Sequence, residues 1–373
     1  MVGQVEGQIW DSEQGSFVSG VLRWDQRGVI ESVQPAKTDR AIFVVPGFID
    51  VHIHGAGGSD VMDATPQALK NISHQMVRYG VTGFVATTLT STPKDLAKAV
   101  DAVRAFQDDG RGAQLLGLHL EGPYIDPDHR GAQPPDRIRP MDRAEMEDLL
   151  ARGRDFIRIM TVAPEMPGAL DGIAWLVEQG VRVNIGHTGC TLDVAERAAD
   201  LGADGITHLF NAMPGLHHRN PGPVGLALSD SRMFVEIIAD GVHINPHVVR
   251  MVYQAAEGRV MAITDGISAV GLPPGKHHLG ELIVQVDERA VRLPSGTLAG
   301  SKLTLDQAYR NLLQWGVGEA SIVRSLSETP WARLGFGGRG HLAPGLPADL
   351  VVLNEERTVL ETIRQGQTVY QRS

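Results

Sequence analysis

Two histidines one residue apart, in the run Asp50-Val51-His52-Ile53-His54, are the first residues here whose spacing suggests chemistry. Alternate side chains of a β-strand share a face, so His52 and His54 can hold one cation between them. More ligating residues follow in His119-Leu120-Glu121-Gly122-Pro123, Gly186-His187, Thr207-His208 and Thr264-Asp265-Gly266, each beside an apolar run. Taken singly, each has a plain structural explanation: a hydrogen-bonded histidine at a strand end, or a turn carboxylate before glycine. Taken together they do not, because packing at such positions would select Val, Ile or Leu. Nitrogen and oxygen donors without thiolate suit Zn²⁺, Fe²⁺, Co²⁺ or Mn²⁺. Such an ion lowers the pKa of water from about 15.7 toward 7 and so provides a nucleophile at neutral pH. Glu121 has two oxygens and could bridge two ions, one at His52/His54 and one at His187/His208. Asp265 is not needed to complete either site, which leaves it free to accept and return a proton. The pattern reads as metal-assisted hydrolysis.

The elements that must position these residues alternate along the chain. Strand-like apolar runs occur at 48–54, 83–88, 115–121, 157–164, 182–187, 206–210, 234–240 and 260–265. Helical periodicity fills many of the gaps, at 66–79, 93–106, 143–151, 192–201 and 246–256. Near-continuous apolar strands alternating with helices predict a parallel sheet covered by helices. About eight such units make a (β/α)8 TIM-like barrel, whose active end is the C-terminal end of its strands. A doubly wound open sheet is the alternative, but no Gly-x-Gly-x-x-Gly follows the first strand. Both chain ends have a different texture, with short strands at 2–9, 16–24, 29–33 and 42–45 and again at 349–353, 359–363 and 368–371. The expected organisation is a small β-sandwich domain from 1–45 plus 345–373 beside a barrel domain of 46–344. The connections 122–141 and 213–225 are too long for mere links and are expected to carry function.

Composition narrows the partners. The chain has 373 residues, 42% hydrophobic and 21% charged, with ample material for a core. A formal charge of −10 disfavours nucleic acid and anionic membranes as partners. The single cysteine, Cys190, excludes an intrachain disulfide and reads as a packing residue. No run approaches the ~18 apolar residues of a membrane span. Acidic residues at 6, 11, 13 and 25 argue against a secretory leader, so a soluble cytoplasmic protein is expected.

The motifs carry a family resemblance. The run from Pro46 to Gly55 (PGFIDVHIHG) resembles the opening of the amidohydrolase superfamily. His119–Tyr124 (HLEGPY), His208–Met213 (HLFNAM), Ala239–His243 (ADGVH), Thr264–Gly266 (TDG) and Gly296–Ser301 (GTLAGS) resemble its N-acetylglucosamine-6-phosphate deacetylase family. The resemblance implies Glu121, His187 and His208 around a main catalytic ion, with His52 and His54 as in members that carry a second. It implies Asp265 as general base and then acid. It places Asn211, the Ala212 amide, Arg219 and His243 on the sugar phosphate, with Arg219 reaching in from the neighbour of a homodimer. Leu298, Ala299 and Gly300 would line the sugar pocket. The family usually has Gly-Ala-His where this chain has Gly131-Ala132-Gln133, and Gln133 can donate a hydrogen bond there but cannot carry charge. The implied reaction is metal-dependent hydrolysis of N-acetylglucosamine 6-phosphate to glucosamine 6-phosphate and acetate; the alternatives are the galactosamine epimer or another N-acyl compound, or a catalytically silent sugar-phosphate-binding barrel.

Overall fold

The computed structural model describes residues 3–38 and 40–372. Its centre is an eight-stranded, all-parallel sheet whose strands follow chain order. The barrel strands are Phe48–Ile53, Val81–Thr88, Gln114–Glu121, Ile157–Val162, Arg182–Ile185, Gly205–Ile206, Phe234–Ile238 and Val260–Ile263. The first and last meet through a parallel bridge between Ile53 and Gly266, backed by the Asp265 amide donating to His52 O at 2.9 Å. This is the expected barrel. Its second strand is buried at every position, as a parallel strand covered on both faces must be. Each fully buried Val, Leu or Ile there contributes about 1.5–3 kcal/mol relative to exposure.

Helices α1 (Pro66–Met76), α2 (Pro93–Ala105), α3 (Arg143–Gly153), α4 (Ala169–Glu178), α5 (Leu192–Asp200), α6 (Gly222–Ser229), α7 (Pro246–Ala255), α8 (Leu305–Gln314), α9 (Glu319–Leu326) and α10 (Glu328–Arg333) complete the fold. Three of them start alike, with a capping Thr65, Thr92 or Asn245 accepting a backbone N–H and proline at the first helical position. In α2, Leu96, Ala99, Val100 and Val103 repeat at helical spacing and form the buried face. Helices α4, α6, α8, α9 and α10 fall outside the helical segments expected from the sequence. Helix α6 begins at Gly222, inside the connection read as loop.

Register sets the height of the site. Thr87 pairs with His119, Glu121 with Thr161, Val162 with Ile185, and Ile185 with Ile206. Several strands stop earlier than their apolar runs: the fifth at Ile185, the sixth at Ile206 and the eighth at Ile263. The run 206–210 is therefore mostly a turn, because the chain leaves the sheet at Thr207.

The chain ends form one mixed seven-stranded sheet. Its order is Gln367–Gln371, Val359–Arg364, Leu350–Leu353, Phe43–Pro46, Gly3–Asp11, Ser16–Trp24, Ile30–Pro35. The start of the strand expected over 2–9 falls on residue 2, outside the described residues. The two halves of this sheet fold onto each other as a small sandwich, with Trp24 Nε1 donating to Gly366 O at 3.0 Å and the Ile30 amide to Leu346 O at 2.8 Å. A three-stranded antiparallel sheet over Gly275–Leu279, Leu282–Val286 and Val291–Arg292 follows the eighth barrel strand, which the sequence reading did not contain. Its core, including Leu279, Val284, Val286 and Ala299, packs against Leu89 and Ile267 beside the barrel mouth. Among the described residues no helix is long and apolar enough to cross a membrane.

Candidate metal centre

His52 lies inside the first barrel strand, His54 one residue past it, and Glu121 ends the third. His187, His208 and Asp265 follow the fifth, sixth and eighth strands with φ of 48°, 29° and 49°. Residues with a Cβ rarely adopt this left-handed conformation, and such strain concentrates at functional sites. All six side chains are buried. Glu121 Oε1 lies 3.1 Å from both His187 Nε2 and His208 Nε2, and those two nitrogens are 3.1 Å apart. On the other side, His54 Nε2 is 3.1 Å from Asp265 Oδ1 and 3.4 Å from Glu121 Oε2. His52 Nε2 lies 3.4 Å from Glu121 Oε1 and 3.5 Å from Asp265 Oδ1.

Protons alone satisfy this arrangement poorly. Two ring nitrogens face each other across one carboxylate oxygen, and His52 Nε2 is buried with no hydrogen-bond partner. The donor set fits a divalent ion at Glu121/His187/His208 and another at His52/His54/Asp265, the ligand atoms of each group lying within 4.8 Å of one another. Outer hydrogen bonds aim three of the imidazoles. His187 Nδ1 meets His129 O at 3.0 Å, His54 Nδ1 meets Thr87 O at 3.2 Å, and His52 Nδ1 meets Glu236 Oε2 at 2.9 Å. A proton on each Nδ1 leaves Nε2 free to ligate.

The electrostatics agree. Burial opposes ionisation of Glu121, yet His52 and His187 outweigh it and hold the carboxyl well below the usual range. Burial likewise opposes the charge on His52, but Glu121, Glu236 and Asp265 raise its pKa to about 9. Asp265 is held below its ordinary value by His54 and His52, against burial. The cluster is a set of anionic oxygens whose charge the neighbouring imidazoles balance, as a cation would.

Comparison with known proteins agrees with this geometry. The model of the amidohydrolase family matches residues 43–369. The chain belongs to the amidohydrolase family. This amidohydrolase is 40% identical over 347 residues to the N-acetylgalactosamine-6-phosphate deacetylase of Escherichia coli O157:H7, covering 91% of this chain and 92% of that one. It is 34% identical over 379 residues to the N-acetylglucosamine-6-phosphate deacetylase of Vibrio furnissii, covering 98% and 93%. A solved structure of the Mycobacterium smegmatis N-acetylglucosamine-6-phosphate deacetylase superposes with a TM-score of 0.93 at 33% identity, covering 99% of this chain and all of that one. The amidohydrolase groups with these deacetylases, as its motifs implied.

Above the ligands lies a pocket of about 210 Å³. Of the residues expected to bind substrate, Ala132, Gln133, Asn211, Ala212, His243, Leu298 and Gly300 border it. Ala299 does not: it is buried in the core beneath the three-stranded sheet, its amide donating to Val291 O. Arg219 does not border it either; it is exposed, its Nη1 2.8 Å from His218 Nε2. Gln133 reaches the pocket wall, but both ends of its amide are engaged. Its Oε1 accepts from the Thr90 amide at 2.8 Å and its Nε2 donates to Glu121 Oε2 at 2.5 Å. His243 Nδ1 lies 2.7 Å from Asp240 Oδ2, which raises the histidine's pKa despite burial. Burial pushes the Cys190 thiol up to about 12, as suits a packing residue. A larger cleft of about 550 Å³ at the small sheet, near Trp10 and Leu342, is bordered by none of the clustered ligating groups found among the described residues.

Beneath the ligands the barrel interior holds a polar layer that the sequence reading missed. His119 Nε2 meets Thr161 Oγ1 at 2.7 Å, Thr161 meets Thr207 at 2.7 Å, and Asn184 donates to Glu236 Oε1 at 2.8 Å. The signal was present as lone polar residues inside apolar strands, Asn184 in Arg182–Ile185 and Glu236 in Phe234–Ile238.

Proposed function

We propose that this amidohydrolase is a metal-dependent deacetylase that hydrolyses N-acetylglucosamine 6-phosphate to glucosamine 6-phosphate and acetate. The observation that carries this reading is the convergence of Glu121, His187 and His208 on one point, with Asp265 across from them at the floor of the pocket. We assign Glu121, His187 and His208 to hold one ion and His52 and His54, beside Asp265, to hold the other; Zn²⁺, Fe²⁺, Co²⁺ and Mn²⁺ would all suit the donors. When bound, a divalent ion supplies Lewis acidity, bringing the pKa of water toward 7 and polarising an acyl carbonyl.

The chain's own groups do the rest. Asp265, held ionised by its neighbours, accepts the proton of the attacking water at a carboxylate oxygen and returns it to the departing amine nitrogen. Ala132 and Gln133 contribute one wall, and Gln133 steadies Glu121 rather than donating freely to substrate. Asn211, with its amide nitrogen committed to His208 O and Leu209 O, offers Oδ1 to the ligand. The Ala212 amide and His243 face the phosphate end, and Leu298 and Gly300 shape the sugar end through backbone. Arg219, exposed and away from its own pocket, serves the phosphate of a neighbouring subunit in a homodimer, its planar fork making charge-assisted pairs. Residues 46–344 carry the site and 1–45 plus 345–373 the small β domain, in a cytoplasmic enzyme.

Acetate release from a panel of N-acetylhexosamine phosphates, with elemental analysis of the purified protein, tests the reading. Stoichiometric transition metal and rapid release from the 6-phosphates are expected; a protein that takes up no metal and releases no acetate overturns it. N-acetylgalactosamine 6-phosphate is a second reading, favoured by the 40% identity to a deacetylase of that sugar. Side-by-side kcat/KM for the two epimers decides between them.

A further inference from the structure

One carboxylate beneath the cluster has no part in the reaction just described. Glu236 sits in the seventh barrel strand, fully buried, between apolar Val235 and Ile237. Its Oε2 lies 2.9 Å from His52 Nδ1 and accepts from the His208 amide at 3.3 Å. Its Oε1 accepts from Asn184 Nδ2 at 2.8 Å, and Asn184 Oδ1 accepts from Arg333 Nη2 at 2.7 Å. Arg333, the last residue of α10, is also fully buried and is paired to Asp204 at 2.9 Å.

The direction of this chain of hydrogen bonds is set at its arginine end. A guanidinium can only donate, so Asn184 turns its oxygen to Arg333 and its NH2 to Glu236. A carboxylate only accepts, so His52 places its proton on Nδ1. Once a cation takes the place of the second proton, the Nε2 lone pair faces the centre beside Glu121 and Asp265. The opposite tautomer would set a lone pair against Glu236 and a proton against the centre. Buried ionic groups are weak contributors to stability, and barrel interiors are ordinarily filled by Val, Ile and Leu. This row of polar groups therefore calls for another role.

We infer that Glu236 is a positioning residue which, oriented from Arg333 through Asn184, commits His52 to the tautomer that ligates and thereby makes the His52/His54 position a cation site. The inference rests on the metal-dependent reading above and goes beyond it, because it makes occupancy of the second position depend on a residue that touches neither ion nor substrate. Partners of this kind change metal affinity by about 10–100-fold.

Glu236→Gln tests it with little change of shape. Asn184 holds the oxygen of the new carboxamide, so its NH2 turns toward His52 and favours the wrong tautomer. Apoprotein is titrated with Co²⁺ and followed by visible absorption, with bound metal counted by elemental analysis. The wild-type protein is expected to take two ions. The variant is expected to keep the ion at Glu121/His187/His208 within about threefold of wild-type affinity and to bind the other about 10–100-fold more weakly. A purely structural role would weaken both alike, so equal losses overturn the inference. Two unchanged affinities overturn it as well, as does a wild-type protein that binds a single ion; a wild-type protein that binds none defeats the metal-dependent reading itself. Should the variant fail to fold, the long-range proton–nitrogen spectrum of zinc-loaded wild-type protein is expected to show the His52 proton on Nδ1. Zinc on Nδ1 would overturn the inference.

Discussion

Asp265 meets two demands through one side chain. It faces His54 at 3.1 Å, close enough to share in holding an ion, and it borders the pocket as the proposed proton carrier. Replacing it with the isosteric amide separates the two roles. Asp265→Asn is expected to lower kcat by about 10²–10⁴, the range for loss of a general acid–base. The ion at Glu121/His187/His208 should remain, since none of those ligands changes. Acetate release and elemental analysis on the same preparation check both outcomes; near-wild-type turnover would remove Asp265 from the mechanism. Gln133 teaches the converse lesson. Sequence alone shows an amide where the related family usually has a histidine, and so suggests a substrate contact. Only the folded chain shows the Thr90 amide and Glu121 occupying its two ends.

At the scale of elements, Gly205 shows how tightly the polar layer is built. A Cβ added there would lie 2.0 Å from Asn184 Oδ1 and 2.9 Å from Arg333 Nη2. Gly205→Ala must therefore displace Asn184, at a cost of about 1–3 kcal/mol typical of overpacking. Thermal and urea unfolding of the metal-free protein measure that loss, and an unchanged midpoint would mean that the layer yields freely. The eight parallel strands were legible because burial on both faces makes them near-continuously apolar. The ligands were legible because polar residues end those runs. What sequence could not show is where each strand stops. The apolar runs put His187 and Asp265 at strand ends and His208 near the start of a strand, yet all three follow their strands and left-handed backbone orients them. Helix α6 was hidden for a related reason: Pro221, Gly222 and Pro223 at its start read as loop, although proline suits a first turn. The polar layer stayed hidden because its members lie on different strands and only register brings them together.

Across the whole molecule, the small sheet is tied to the barrel by a buried arginine. Arg364, at the end of the sheet strand Val359–Arg364, donates to Asp108 Oδ1 at 2.8 Å and to Gly112 O at 2.9 Å, beyond the end of α2. Burial opposes ionisation of Asp108, but Arg364 outweighs it and the carboxyl pKa is lowered. A depressed carboxyl adds stability that is complete above its unfolded pKa of about 3.9 and lost as pH falls through the folded value. Asp108→Asn is therefore expected to cost about 1 kcal/mol at pH 7, the bond to a charged group discounted for the part of Asp108 that meets solvent. The difference from wild type should shrink as pH falls below about 4 and vanish only once pH is below the lowered folded pKa, as unfolding curves across pH will show. A gap that persists there would mean that the charge is not what matters.

The barrel's closure has a consequence for its dynamics. First and last strands are joined by few backbone bonds: the Asp265 amide to His52 O, and the His54 and Gly55 amides to Gly266 O. The residues proposed to grip the second cation, His52 and His54 on one side and Asp265 on the other, straddle this same seam. An ion there would act as a rivet between segments more than two hundred residues apart in sequence. Chelation should then speed deuterium uptake at His54, Gly55, Asp265 and Gly266 well before the opposite wall of the barrel responds. Uniform uptake around the ring would show that the hoop holds without its fastener.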